Sequence, residues 1–149
     1  MKNLAQQADY AEIVNRLGRL RPDSPRQWGS MPPHGAMCHL SDAFLAALGR
    51  KPASAASGLF QRTLMKWGAL WFPMKWPPNI KTRPEVEQGL GGTPPGDFAN
   101  DRARLLALMA EFVKADLTTP HPIFGAMTRA EWMRWGYLHM DHHLRQFQV

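Results

Sequence analysis

The stretch Thr128 to Gln146, TRAEWMRWGYLHMDHHLRQ, decides the fold. Thr128-Arg129-Ala130-Glu131 reads as a capping box, in which the Thr hydroxyl and the Glu carboxylate satisfy first-turn amides reciprocally. The spacing that follows predicts a helix from Thr128 to about Phe147. On a helix, residues four apart share a face, so His139 and His143 point the same way and can share one metal ion. Gln146 lies one turn further along that face, with Trp135 and Trp132 one and two turns back. His142 is displaced by about 60°, and Asp141 points nearly the opposite way, which makes it a solvent or ion-pair residue.

Outward from that helix, Pro and Gly break the chain at Pro22 to Pro33, Gly49 to Gly58, Pro73 to Pro84 and Gly89 to Gly96, with a fifth break at Thr118 to Gly125. The segments between carry helical periodicity. The first runs from about Asn3 to Leu20, with Leu4, Ala8, Ala11, Val14 and Leu17 as its apolar stripe. The second opens at Pro32-Pro33 and stops at Leu48-Gly49, with proline inside the start and glycine past the end. The third, Leu59 to Phe72, is strongly apolar and ends at Pro73. The fourth runs from about Asp97, a plausible N-cap, to Ala115, with Phe98, Leu105, Met109 and Phe112 on one face and Leu106 and Val113 widening it. No stretch shows strand alternation. The expectation is an all-α chain, a four-helix bundle with one extra short helix. The long Pro/Gly-rich loop Met74 to Gly96 reads as a functional cover or a partly disordered segment.

A pair of His one turn apart needs a third ligand from another helix. His39, inside the apolar second segment, is the best candidate. Asp42, one turn after it, is either an acceptor that orients an imidazole or a helix-surface carboxylate. His34 reads as a surface or first-turn residue and His121, between two prolines, as a loop residue; either could compete as the third ligand. Cys38 reads as a small core residue. The expected metal ligands are therefore His39, His139 and His143. No HExxH motif is present, so the metalloprotease pattern is excluded.

Bulk properties narrow the class. The chain has 149 residues, 44% hydrophobic, which suits one domain with a sizeable core. Six Trp and seven Phe against two Tyr point to a packed core or a ring-lined cavity. One cysteine excludes a disulfide scaffold. Charges at Asp9, Glu12, Arg16 and Arg19 leave no apolar block for a signal peptide, and Gly68 to Trp76 is too short to span a bilayer, so a cytoplasmic location without membrane contact is expected. The net charge is +6, but the longest basic run is Arg50-Lys51, and the absence of a Lys/Arg stripe argues against a nucleic-acid partner.

Met37-Cys38-His39-Leu40 early in the chain, followed by His139-Met140-Asp141-His142-His143-Leu144-Arg145-Gln146, resembles the DinB-like (DNA-damage-inducible B) superfamily, with its early His and late HxxxHxxQ helix. Arg26 to Met31, Gly91 to Pro95 and His121 to Gly125 resemble a bacterial branch of it still labelled a domain of unknown function. Arg145 stands where a Gly often precedes the Gln. The resemblance implies one DinB-like four-helix-bundle domain over residues 1–149. It implies a His39/His139/His143 triad holding a divalent metal, zinc or nickel first, with manganese or iron as alternatives. It further implies a small-molecule substrate, a low-molecular-weight thiol among the candidates, and homodimers in many relatives. The expected function is a metal-dependent enzyme in which the triad activates water or such a thiol, S-transferase-like or hydrolase-like. The alternative is a non-catalytic metal-binding stress-response protein.

Overall fold

The computed structural model describes residues 1–55, 58–78, 80 and 83–149, and among them every regular element is helical. In chain order they are α1 (Gln7–Arg19), α2 (Pro33–Ala47), a π turn (Gln61–Met65) running into α3 (Lys66–Trp71), a 3-10 turn (Pro84–Val86), α4 (Phe98–Lys114) and α5 (Arg129–Gln146). The all-α expectation stands. The extended pairing found among the described residues is the isolated bridge between His121 and Gly125. No described helix is long and apolar enough to cross a membrane.

Local chemistry sets the helix ends. Asp97 accepts a hydrogen bond from the Asn100 amide at 2.8 Å, which starts α4. At α5 the Thr128 hydroxyl accepts from the Glu131 amide while the Glu131 carboxylate accepts from the Thr128 amide, completing the capping box. Gly49, at φ +72°, turns the chain out of α2 in a backbone region that side chains disfavour.

Two details depart from the periodicity. The buried face of α1 is Ile13 and Leu17, with Tyr10 and Val14 half-buried, whereas Ala8 and Ala11 of the expected stripe are exposed. Alanine has little surface to hide, so the larger Ile13 and Tyr10 decide which way the helix turns. The third segment is helical from residue 59, but its first part is π-wound, with the Thr63 hydroxyl donating back to the Leu59 carbonyl at 2.8 Å. Its apolar residues mostly face outward: Leu59, Phe60, Leu64 and Trp67 are exposed, and Leu70 is the buried side chain of α3.

Helix α2 packs on α4 and α5, and α5 also meets α1 and α3. Phe44 and Phe112 lie 4.9 Å apart at ring centroids, and Trp132 meets Phe112 edge-on. Arg16 of α1 donates to Asp141 of α5 at 2.7 Å, on the side of α5 turned away from its histidine pair. Gly136 marks the closest approach. A Cβ there would stand 2.8 Å from Leu4 Cδ1 and 3.0 Å from Phe112 Cε1, both fully buried. Gly136→Val is therefore expected to cost about 2 kcal/mol through overpacking, read as a lower urea midpoint at unchanged m-value.

Candidate metal centre

Helix α2 carries His39 at its middle, and α5 carries His139 and His143 one turn apart. The packing of α2 on α5 brings the three rings together, with centroids 5.2 Å (His39–His139), 4.9 Å (His39–His143) and 5.1 Å (His139–His143) apart. One nitrogen from each lies within 4.8 Å of the other two, and His39 Nε2 is 3.2 Å from His139 Nε2. Two nitrogens held about 2.0–2.1 Å from one tetrahedral ion stand about 3.3 Å apart, so this spacing suits a shared ligand position.

The outward-facing nitrogens are tied. His39 Nδ1 is 2.8 Å from the Val86 carbonyl and His143 Nδ1 is 3.1 Å from Gln146 Oε1. Each acceptor requires the proton on Nδ1, leaving both Nε2 lone pairs directed into the cluster. The Gln146 amide is oriented in turn, because its Nε2 donates to the Trp28 carbonyl at 2.9 Å. Burial pushes the pKa of all three imidazoles down, well below the ordinary value for His139 and His143, where repulsion from neighbouring imidazoles adds to it, while at His39 the Val86 carbonyl and the Asp42 and Glu87 carboxylates oppose it. The triad is therefore neutral at pH 7, the state in which imidazole binds metals.

Val86 is delivered by tight folding of the chain after the 3-10 turn. A Cβ at Gly91 would lie 2.8 Å from the Pro84 carbonyl, and one at Gly92 2.7 Å from the Glu87 carbonyl. Side chains at either position would push this turn off α2. Asp42 completes the closure. Fully buried, it accepts from the Thr93 amide and hydroxyl, each at 2.6 Å, and pairs with Lys51 at 2.9 Å. It is neither the imidazole acceptor nor the surface carboxylate that its position suggested. It fastens the loop whose Val86 carbonyl orients His39.

The other histidines fall elsewhere. His34 meets Asp101 at 2.7 Å, and the same carboxylate oxygen accepts from the Gly96 amide and the Cys38 thiol. This knot joins α2 to the start of α4, and burial together with Asp101 raises the Cys38 pKa to about 11, so the thiol stays protonated. His142 stays outside the triad, its ring 5.0 Å from that of His143 and its Nδ1 buried without a partner. Arg145 bonds Asp141 and lies over Trp28, away from the triad. His121 sits in a loop, as its flanking prolines predict, and is buried there against Phe124, Trp132 and Trp135.

A cavity of about 610 Å³ opens on the triad. Ala43 and Ala47 of α2, Met65, and Trp132 and Trp135 of α5 line it, with Trp76, Ile80 and Val86 from the Pro-rich stretch. All five of His39, His121, His139, His142 and His143 reach it, and Lys75 and Arg83 are its charged lining residues. Trp67 and Trp71 of α3 do not line it. Gly68 and Ala69, on the other face of that helix, do.

Neither the curated proteins nor the solved structures contain a match to this chain. A family model described as "Protein of unknown function (DUF1569)" matches residues 52–149, a stretch that holds His121, His139 and His143 but begins after His39. That match covers about two thirds of the sequence, and the chain belongs to the DUF1569 family.

Proposed function

We propose that the chain is a divalent-metal-dependent enzyme with the four-helix-bundle architecture of the DinB-like proteins, in which His39, His139 and His143 hold the ion. One observation carries this: three imidazoles that are neutral at pH 7 converge on one point, His39 buried and His139 and His143 half-buried, and the Nδ1 bonds of His39 and His143 to Val86 and Gln146 leave their Nε2 lone pairs free for an ion. His139 Nε2 stands 3.2 Å from His39 Nε2, a spacing that either a shared proton or an ion bonded to both nitrogens satisfies. An all-imidazole set favours zinc or nickel, with iron or manganese less well matched. Three protein nitrogens leave a coordination position open, where the ion would make water or a small thiol nucleophilic near neutral pH.

The chain's own residues supply the rest. Val86 and Gln146 hold the rings in one tautomer and one orientation. Trp76, Trp132 and Trp135 give the cavity an apolar wall beside the cluster. Lys75 and Arg83 place positive charge on a wall that is otherwise apolar or histidine. A cavity of this size leading to the cluster favours a small-molecule reaction over simple metal storage, since a storage site needs no substrate chamber.

The deciding experiment loads the metal-free protein with Co²⁺ and follows its visible spectrum while water-exchangeable ligands and low-molecular-weight thiols are added. An open position predicts a spectral change on thiol addition. A spectrum blind to every added ligand supports the non-catalytic metal-binding alternative. Gln146→Leu, which removes the acceptor from His143, is expected to weaken metal binding about 10- to 100-fold in a competition titration.

A further inference from the structure

His121 lies outside the triad, and its environment is unusual for a ligand-lining histidine. Its Nδ1 accepts two backbone hydrogen bonds, from the Ile123 and Phe124 amides, each at 3.1 Å. Its own backbone closes the loop, with the His121 amide donating to the Gly125 carbonyl at 2.8 Å and the Gly125 amide donating back at 2.9 Å. Gly125 sits at φ +68°, so the loop that makes this cradle needs glycine there. The ring stacks on Phe124, with centroids 4.7 Å apart and planes 15° apart, and meets Trp132 and Trp135 on its other sides.

Two consequences follow for the ring. A nitrogen that accepts two N–H groups carries no proton, so the neutral imidazole must carry its hydrogen on Nε2. Burial lowers the pKa to about 3, so the ring stays neutral throughout the physiological range. His121 is thus a permanent hydrogen-bond donor that can neither accept through its ring nor become cationic. No described residue accepts from this Nε2, and it is not among the sealed, unpartnered atoms of the interior. His121 lines the same cavity as the triad and also the neighbouring pocket bounded by Arg50, Pro52 and Thr119, and Trp135 stands in ring contact with both His121 and His139.

We propose that His121 sets the substrate specificity of this cavity: its Nε2–H donates to a carbonyl oxygen on a predominantly apolar, aryl or acyl substrate that lies between it and the His39/His139/His143 cluster. The proposal rests on the reading of the cavity as the substrate chamber. The surroundings select the acceptor. A carboxylate placed here would lose its hydration against Phe124 and the Trp rings and gain one bond from an uncharged donor, which does not offset that loss. A neutral carbonyl gives up far less. A hydrocarbon of the same shape would leave the donor unpaired, so the site discriminates between the two.

The test uses metal-free protein, which separates it from the metal assignment, and a matched pair of probes of nearly equal shape, 2-acetylnaphthalene and 2-isopropenylnaphthalene. Calorimetry is expected to show the ketone binding about tenfold more tightly, with its carbonyl stretch moved to lower wavenumber on binding. In His121→Asn the amide oxygen can still accept from the Ile123 and Phe124 amides while the donor no longer reaches the cavity. This variant should bind both probes equally, with hydrocarbon affinity unchanged. His139→Gln should keep the ketone preference, which excludes the triad as its source. Equal binding of the pair by the unsubstituted protein, a preference that survives His121→Asn, or binding of neither probe would each overturn the proposal. Loss of metal binding in a parallel titration would instead count against the triad and leave the His121 result standing.

Discussion

Replacing His139 with alanine is expected to take the protein from about one bound divalent ion per chain to nearly none, with at least a roughly hundredfold loss of affinity. His39→Ala and His143→Ala should do the same. The reason is geometric: with one of three imidazoles gone, two remain, and the Asp42 carboxylate one turn from His39 is already engaged by Thr93 and Lys51. His142→Ala should change affinity by less than about threefold, since a ligand outside the converging set leaves the coordinating bonds intact. His34→Ala should leave it unchanged, as that ring is bonded to Asp101. Metal analysis of untagged protein and competition with a chromophoric chelator give the readout. Equal losses in His142→Ala and His143→Ala would refute the assignment of ligands.

Acid should unfold the metal-free protein early and steeply. Five imidazoles, those of His39, His121, His139, His142 and His143, have pKa values lowered chiefly by burial. An imidazole whose folded pKa lies below its unfolded value costs nothing above about pH 6.5. Below that, the unfolded chain takes up the proton first and stability falls, until the folded pKa is reached. At pH 4.5 the His121 ring, with its folded pKa of about 3, gives up about 2.7 kcal/mol, and the other four imidazoles add losses in the same direction. Cooperative unfolding is therefore expected as the pH drops from 6.5 towards 4.5, with a flat stability profile above pH 7. Circular dichroism with urea titrations at stepped pH follows it. A urea midpoint that holds steady from pH 7 to pH 4.5 would contradict the burial of these rings. Adding metal at fixed pH should raise the midpoint, because an ion that binds only the folded chain stabilises it by mass action.

Much of the architecture could be read in the sequence because it is written in local chemistry. Asp97 and the Thr128/Glu131 box cap the same helices that periodicity predicts, and Pro33 and Gly49 bracket α2. The co-facing of His139 and His143 follows from the pitch of one helix. His39 could be named only as the partner the pair required, since nothing local distinguishes a ligand from a satisfied core histidine. Where the expectation failed, the deciding contacts were distant along the chain. The phase of α1 depended on which residues the other helices could accept, and the outward turn of Leu59, Phe60 and Leu64 on how little of α3 the core had room for.

By itself the sequence determined the all-helical class, the ends of α2, α4 and α5 and the facing of the α5 pair, because caps, breakers and a 3.6-residue pitch act within a few residues. The tertiary structure alone decided that His39 meets that pair. It also decided that Val86 and Gln146 choose the tautomers, that Asp42 holds a loop rather than a ring, and that His121 is a buried donor. Each of those depends on groups brought together from separate elements or on burial by them, and the free energy of an imidazole or a carboxylate is set by what surrounds it in space rather than by its neighbours in the chain.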